Sequence, residues 1–506
     1  MKDLAALKKS PEKKRVDVLL INPGSLNEVY QDLGKSYSAI ETPTLAALFA
    51  TYVRNKGFEV DLIDAPAFGL SAREVAELVH EHFDPVLVVL VVYGFQPSAS
   101  TQNMPSAGAT CSHLKALNPK LKIMMTGTHP AALPEKTLRE ESIDFVCDRE
   151  GPETILHTMV QLKSVAPDFS KVPSLLYWEG EAVKRTETAP LMTTLDEEMP
   201  EPAYDLLPMD RYRAHNWHCF DHINERQPYA SMITSLGCPY KCSFCCINAP
   251  FGRSSYRMWS PDLVIKQIDT LVNEYGIKNI KFVDEMFVLN TNHVLGICDH
   301  IVERGYDLNI WAYARVDTVK EEQLAKMKQA GIRWLALGIE SGSKHVRDGV
   351  EKGRFGTEAI IDVVRKIQAA GIYVIGNYIF GLPDDTHQSM EETLQLALDA
   401  NCEFANFYSA MAYPGSKLYT QAVEEGWSLP KSWIGYSQHS FECTPLPTET
   451  LTSAEVLKFR DEAFQRYFSD PRYLELVRKK FGDEVCKHLN EVSSVPLPRQ
   501  LYSTGA

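Results

Sequence analysis

The sequence predicts an α/β protein: a doubly wound parallel sheet over residues 15–165, a hairpin and linker over 166–228, a partial (β/α)6 barrel of the TIM type over 229–428, and a small helical region over 429–506. Three observations carry this reading. Short β-branched runs alternate with helix-period segments in the first part. A helix, a glycine and an apolar strand recur in that order in the third. Where that third part begins, the loop Cys238-Pro239-Tyr240-Lys241-Cys242-Ser243-Phe244-Cys245 follows the strand-like run Tyr229–Ser235. Three thiols at C-x3-C-x2-C spacing can turn onto one inorganic cluster, and three thiolates on a four-iron cluster leave one iron open to a small molecule.

Length and composition bound the function. At 506 residues, a prior of one domain per roughly 100 to 200 residues gives about three. The balance of 52 Lys+Arg against 66 Asp+Glu is acidic and contains no long basic run, which argues against a phosphate-backbone partner. No nucleic acid is expected. No apolar run reaches the roughly 18 to 20 residues needed for a membrane span, and the longest, Val86–Tyr93, is strand-sized. The N-terminus, with Lys2, Lys8, Lys9, Lys13 and Lys14 around a short Leu/Ala patch, has neither an apolar h-region nor a small-residue cleavage site. Eleven cysteines, clustered at one point and otherwise scattered, do not make a secreted disulfide framework. A reducing compartment, the cytoplasm, follows.

The first domain reads as strand and helix in turn: Val16–Ile21, Pro43–Lys56, Phe58–Ile63, Ser71–Phe83, Val86–Tyr93, Gly108–Leu117, Leu121–Met125, Glu135–Glu140, Ile143–Cys147 and Glu153–Leu162. Thr42-Pro43, Gly57 and Ser71 supply helix starts and stops. Continuous apolar strands alternating with helices imply a parallel sheet, whose ligands bind at the C-terminal strand ends. The predicted rim is Asn22-Pro23-Gly24, Asp64-Ala65-Pro66, Gly94-Phe95, Gly127-Thr128-His129-Pro130 and Arg149-Glu150-Gly151; each Gly or Pro there also has the simpler reading of a tight turn. No G-x-G-x-x-G follows the first strand, which disfavours a dinucleotide. Beyond it, Ser174–Tyr177 and Ala182–Thr186 flank Glu179-Gly180 as a hairpin, and Pro190–Pro208 has the composition of a linker.

In the third part the helices Ser260–Tyr275, Asn292–Arg304, Val319–Ala330 and Thr357–Ala370 are followed by Gly276, Gly305, Gly331 and Gly371. The strands Ile277–Val283, Leu308–Ala314, Ile332–Gly338 and Ile372–Phe380 come next, and a last unit ends in Phe404–Met411. With the strand before the cysteines this makes about six units, fewer than the eight of a closed barrel, whose catalytic groups sit at C-terminal strand ends. The corresponding rim collects the cysteine loop, Asp284-Glu285, Arg315, Glu340-Ser341, Gly381-Leu382-Pro383 and Tyr413-Pro414-Gly415. Ser453–Phe468 and Arg472–Phe481 have helical spacing.

Cys238, Cys242 and Cys245, with aromatic Phe244 just before the third thiol, on the first loop of a six-unit βα repeat, resemble the radical S-adenosylmethionine (SAM) superfamily. The resemblance implies that the three Cys hold a [4Fe-4S] cluster and that SAM chelates the fourth iron. It further implies that an electron, from a donor such as flavodoxin or ferredoxin, cleaves SAM to a 5′-deoxyadenosyl radical. That radical takes hydrogen from an unactivated carbon, so the site has to exclude water and stray donors. The alternative for the cysteines is a structural zinc site with Cys246 or Cys219 as fourth ligand, although zinc usually takes paired Cys knuckles.

The same resemblance assigns the rest of the rim. Asp284 and Glu285, in Phe282-Val283-Asp284-Glu285, lie where an acid receives the SAM amino group. Arg315 would pair with the SAM carboxylate, with a barrel-end salt bridge as the plainer reading. Glu340 and Ser341, in Gly338-Ile339-Glu340-Ser341-Gly342, resemble the strand-four motif for ribose or carboxylate. Asn377-Tyr378-Ile379-Phe380-Gly381-Leu382-Pro383-Asp384 resembles the G-x-I-x-G-x-x-E stretch beside adenine, placing Ile379 and Gly381 there, with Asn377 for Gly and Asp384 for Glu.

A Rossmann-like domain ahead of such a barrel resembles the cobalamin-binding subgroup, and the resemblance covers residues 15–428. It implies cobalamin on the rim of the first domain, over Asn22, Gly94, Gly127, Thr128, His129, Glu150 and Gly151. The D-x-H-x-x-G motif that supplies histidine to cobalt is absent, as is usual in this subgroup. His129 is not assigned to cobalt, and residues 127–130 are read as a close-approach loop for the corrin. The activity implied is methylation of an unactivated carbon of a small-molecule substrate through a 5′-deoxyadenosyl radical and methylcobalamin. The alternatives are radical cyclisation, rearrangement or oxidation without methyl transfer, or a non-catalytic B12-binding protein. Trp433–Thr450, with Tyr436, His439, Glu442 and Cys443, either caps the barrel mouth or packs between domains.

Overall fold

The computed structural model describes residues 4–8, 12–24, 26–94, 97–353 and 355–503; the rim residue Phe95 lies outside them. The chain forms two compact units, one drawn from residues 1–26, 40–212 and 246–255, the other from 27–39, 213–245 and 256–506.

In the first unit, β1 (Lys14–Asn22), β2 (Val60–Asp64), β3 (Phe83–Val92), β4 (Ile123–Gly127) and β5 (Phe145–Cys147) are parallel in the order β2-β1-β3-β4-β5. Continuous aliphatic runs need cover on both faces. Accordingly Val18, Leu19, Leu20 and Ile21 of β1 are all fully buried. The order reverses direction between β1 and β3, so Asn22-Pro23-Gly24 and Gly94 lie at the switch point, where sheets of this kind bind ligands. The expected hairpin, β6 (Leu175–Glu179) and β7 (Ala182–Arg185), extends this sheet antiparallel beyond β5. It is pinned by Arg185, whose guanidinium meets the buried Asp148 carboxylate at 2.6 Å.

Two expectations are corrected. The helix placed at Gly108–Leu117 begins at Pro97 and carries Pro105 inside it; its Ser, Thr, Ala and Gly residues give no apolar period to read. Ser100, buried within it, donates to the Val92 carbonyl at 2.5 Å. The loop expected after β4 is a short helix, Thr128–Ala132. It starts at Gly127, where φ is +145° and a Cβ would lie 2.0 Å from the Val92 oxygen. Only glycine fits there.

The second unit has β8 (Tyr229–Met232), a short antiparallel pair β9 (Ser235–Leu236) and β10 (Arg257–Met258), then β11 (Asn279–Phe282), β12 (Asn309–Arg315), β13 (Ile332–Glu340), β14 (Tyr373–Phe380) and β15 (Phe404–Ser409). β8, β11, β12, β13, β14 and β15 are parallel neighbours in chain order, the arrangement of a partial TIM barrel. The recurring glycines end the preceding helices with φ of +65° to +85° at Gly276, Gly305, Gly331 and Gly371, a conformation that costs other residues about 1 kcal/mol or more. The outer edge at β15 is covered by the helices Ser453–Phe468 and Pro471–Phe481. Arg460 donates to the Phe407 carbonyl at 2.7 Å, and Tyr467 to that of Cys402 at 2.7 Å. A further helix, Asp483–Ser493, follows Gly482.

At the end of β2, Asp64 is fully buried and accepts from Asn22 Nδ2 at 2.9 Å and Tyr212 Oη at 2.8 Å. Burial raises its carboxyl from 3.8 to about 6. An acid whose pKa is higher folded than unfolded contributes stability that is fully present below the unfolded value and is lost as pH rises through the folded one. The contribution is on the order of 3 kcal/mol. In urea unfolding at about pH 4 to 7, the stability of wild type relative to Asp64→Asn should therefore fall between about pH 4 and 6 and level off above. A pH-independent difference would contradict it.

Candidate active site

The cysteine loop is held at its start, middle and end. At its start, the fully buried Asp284 carboxylate accepts the Thr234 N–H at 3.0 Å, the Thr234 hydroxyl at 2.7 Å and the Ser235 hydroxyl at 2.6 Å. Toward its end, the Ser243 N–H donates to the Val350 carbonyl at 3.1 Å and the Ser243 carbonyl accepts from the Leu418 N–H at 2.8 Å. Phe244 packs into two apolar clusters, one including Val346, Val350 and Leu382, the other Ala412 and Leu418. In the middle, Arg315 Nη1 points at Cys242 Sγ at 3.5 Å, with its guanidinium 3.7 Å over the Tyr240 ring.

All eleven cysteines are free, and Cys238, Cys242 and Cys245 are half-buried. Cys246 is different: it is 1% exposed. Cys219 sits on Asn279 at 3.6 Å, at the opposite, N-terminal end of β11. The loop therefore offers three thiols and no accessible fourth, which suits a cluster with one open iron better than four-coordinate zinc. Among the described residues no three His, Cys, Asp or Glu are gathered closely enough to hold a single metal ion.

Of the acidic pair, Asp284 is turned inward onto Thr234 and Ser235. Burial pushes Glu285 up to about 8, Asp284 adds to the rise, and a hydrogen bond from the Gly237 backbone opposes it. Arg315 is 4% exposed. Its Nε and Nη2 hold Asp317 at 2.9 and 3.0 Å, and Nη2 also donates to the Lys352 carbonyl. Although burial opposes its charge, the Asp317 carboxylate more than offsets that and raises its pKa. One of its five N–H donors has no acceptor among the described residues. Glu340 sits where the β13–β14 register shifts, with φ +68°, a conformation costing about 1–3 kcal/mol that clusters at functional sites. Its carboxylate takes the Lys352 ammonium at 2.5 Å, both side chains being under a tenth exposed.

Ser341 is turned away from the rim, its hydroxyl on Thr393 at 3.2 Å. Ile379 packs with Phe244 against the same apolar cluster. The Gly381 and Leu382 N–H groups both bind Asp385 Oδ2 at 3.0 Å. Asp384, set in the motif's acidic position by the sequence, is exposed. A one-residue offset thus separates the motif's acid from the one that holds the backbone. The sequence assigns no role to Lys352, Asp317 or Tyr240: Asp317 and Tyr240 stand beside assigned residues, and Lys352 reaches Glu340 only through the fold.

On the first unit, Asn22 is committed to Asp64, and Gly94 packs so tightly that a Cβ would lie 2.1 Å from that of Ala99. Thr128 and His129 are buried. Burial lowers the imidazole to about 3, with its Nδ1 on Thr101 at 3.2 Å. Glu150 Oε2 accepts the Met192 N–H at 2.8 Å. Beside Gly151 opens a cleft of about 770 Å³ lined by Arg149, Glu153, Leu191, Met192, Phe251 and Arg253.

The family description "Radical SAM superfamily" matches residues 232–397, and "B12 binding domain" matches 32–157. A Pyrococcus horikoshii protein, "Uncharacterized methyltransferase PH0819", is 30% identical over 462 residues, covering 91% of this chain and 94% of its own length. The anaerobic magnesium-protoporphyrin IX monomethyl ester cyclase of Cereibacter sphaeroides is 24% identical over 87% of this chain and 69% of its own. Among solved structures, the radical SAM methyltransferase TsrM of Kitasatospora setae, with cobalamin and a [4Fe-4S] cluster bound, aligns with TM-score 0.65 and 17% identity over 91% of this chain and 90% of that one. This chain belongs to the cobalamin-binding radical SAM proteins, in their methyltransferase-like branch. It is an enzyme whose cofactors are a [4Fe-4S] cluster, SAM and cobalamin.

Under anaerobic reconstitution, Cys238→Ala, Cys242→Ala and Cys245→Ala should each lose the brown colour and most bound iron and sulfide. Cys246→Ala should keep them. Loss of the cluster in Cys246→Ala alone would overturn the three-thiol ligand set.

Proposed function

We propose that this enzyme methylates an unactivated carbon of a small-molecule substrate. The observation that carries the proposal is the joining, in one chain, of a three-thiol loop on a half-barrel rim to a B12-binding domain, in a sequence most of whose length matches PH0819. The cluster with SAM would supply a 5′-deoxyadenosyl radical, and cobalamin would supply the methyl group. Cys238, Cys242 and Cys245 would hold the cluster. SAM would lie along Glu285, Arg315, Glu340, Ile379 and Gly381, with Asp284 and Ser341 bracing the chain behind it. On the first unit, cobalamin would lie over the switch point at Asn22 and Gly94, with residues 127–130 and 149–151 beside it.

Alternate positions along β12, β14 and β15, among them Tyr313, Asn377, Ile379, Asn406 and Tyr408, are half-buried. They would line the substrate chamber. A flavodoxin- or ferredoxin-type donor would supply the electron. No helix among the described residues is long and apolar enough to cross a membrane, and eleven free cysteines favour the cytoplasm.

A second reading, ring closure or oxidation without methylation, draws support from the likeness to the cyclase over 87% of this chain. Product analysis with candidate substrates separates the two. Methylation should give one 5′-deoxyadenosine and one S-adenosylhomocysteine per turnover, and Cys242→Ala should give neither. Deoxyadenosine formed without S-adenosylhomocysteine would replace methylation with the second reading.

A further inference from the structure

We propose that Arg315 sets the reduction potential of the cluster by donating a hydrogen bond to the sulfur of Cys242. The proposal rests on the assignment of the three thiols to the cluster. The Nη1-to-sulfur distance is 3.5 Å, and the rest of the side chain is fixed so that this N–H has little freedom to turn elsewhere. Asp317 grips Nε and Nη2 at 2.9 and 3.0 Å, the Lys352 carbonyl takes the second Nη2 proton, and the Tyr240 ring lies 3.7 Å beneath. The segment carrying that carbonyl is tied to the same loop, because Val350 accepts from Ser243 at 3.1 Å. Lys352 is fixed in turn by its ammonium on Glu340 at 2.5 Å.

Reduction adds negative charge to a cluster and its sulfurs. A fixed N–H donor and cation beside one sulfur stabilise the reduced form and raise the potential. Asp317 works against this, since its carboxylate cancels part of the guanidinium's charge. The two residues should therefore act with opposite signs. A merely structural role would not produce that signature.

The test compares reconstituted wild type, Arg315→Gln and Asp317→Asn for iron and sulfide content, then for the fraction of reduced cluster by electron paramagnetic resonance across a series of redox poises. At a fixed poise, Arg315→Gln should lower the reduced-to-oxidised ratio about tenfold, about 59 mV for a one-electron couple. Asp317→Asn should raise the ratio. Potentials that stay put, or move the same way in both variants, overturn the proposal. If Arg315→Gln does not retain its cluster, Asp317→Asn decides alone, because Asp317 is 36% exposed and bonds no thiol: a rise supports the proposal, and no change or a fall overturns it. A wild type without any iron–sulfur signal would instead overturn the cluster assignment.

Discussion

Ser243 has both main-chain groups taken, its N–H by Val350 and its carbonyl by Leu418, and the placement of the three thiols depends on that double hold. An eight-residue loop carrying Pro239 builds no ladder of its own, so its backbone polar groups must find partners elsewhere. They find them in the segments that follow β13 and β15, more than a hundred residues further along the chain. The thiols are thus positioned only once the half-barrel has assembled from its first strand to its last. Phe244, seated in apolar clusters contributed by those same segments, turns the hold into a packed one.

The rim around the loop pairs its own charges. Glu340 faces Lys352, Arg315 faces Asp317, and Asp284 is satisfied by hydroxyl and backbone donors. Buried ion pairs add little net stability, because desolvation offsets their attraction. Their value here is orientation: each group is fixed before any ligand arrives, so less ordering cost falls on binding. The left-handed backbone at Glu340 fits the same account, since strain of about 1–3 kcal/mol persists only where surrounding contacts over-determine it, and the Lys352 pair is one such contact.

Much of this was legible in the sequence. The helix–glycine–strand repeat located the barrel strands because each glycine occupies a left-handed helix end, and continuous aliphatic runs located the first sheet because both faces are covered. Rim positions followed from strand ends. What sequence did not reveal is where side chains point. Asp284 and Ser341 occupy rim positions yet turn onto neighbouring hydroxyls, His129 is buried, and the acid that closes on Gly381 is Asp385, one residue past the motif position. Lys352 was hidden for the opposite reason: it lies between elements, and only the fold brings its ammonium to Glu340 and its carbonyl to Arg315.

A half-barrel gains an open side and inherits an edge problem. Eight strands closed on themselves would leave no edge, but six leave unpaired backbone at each end. At β15 the C-terminal helices meet that need with side chains, Arg460 on the Phe407 carbonyl, Tyr467 on Cys402 and Tyr473 on Glu403. Asn406 and Tyr408, whose side chains point off a face of the strand, stay half-buried. The helical region thus acts physically by covering the edge of the barrel at β15.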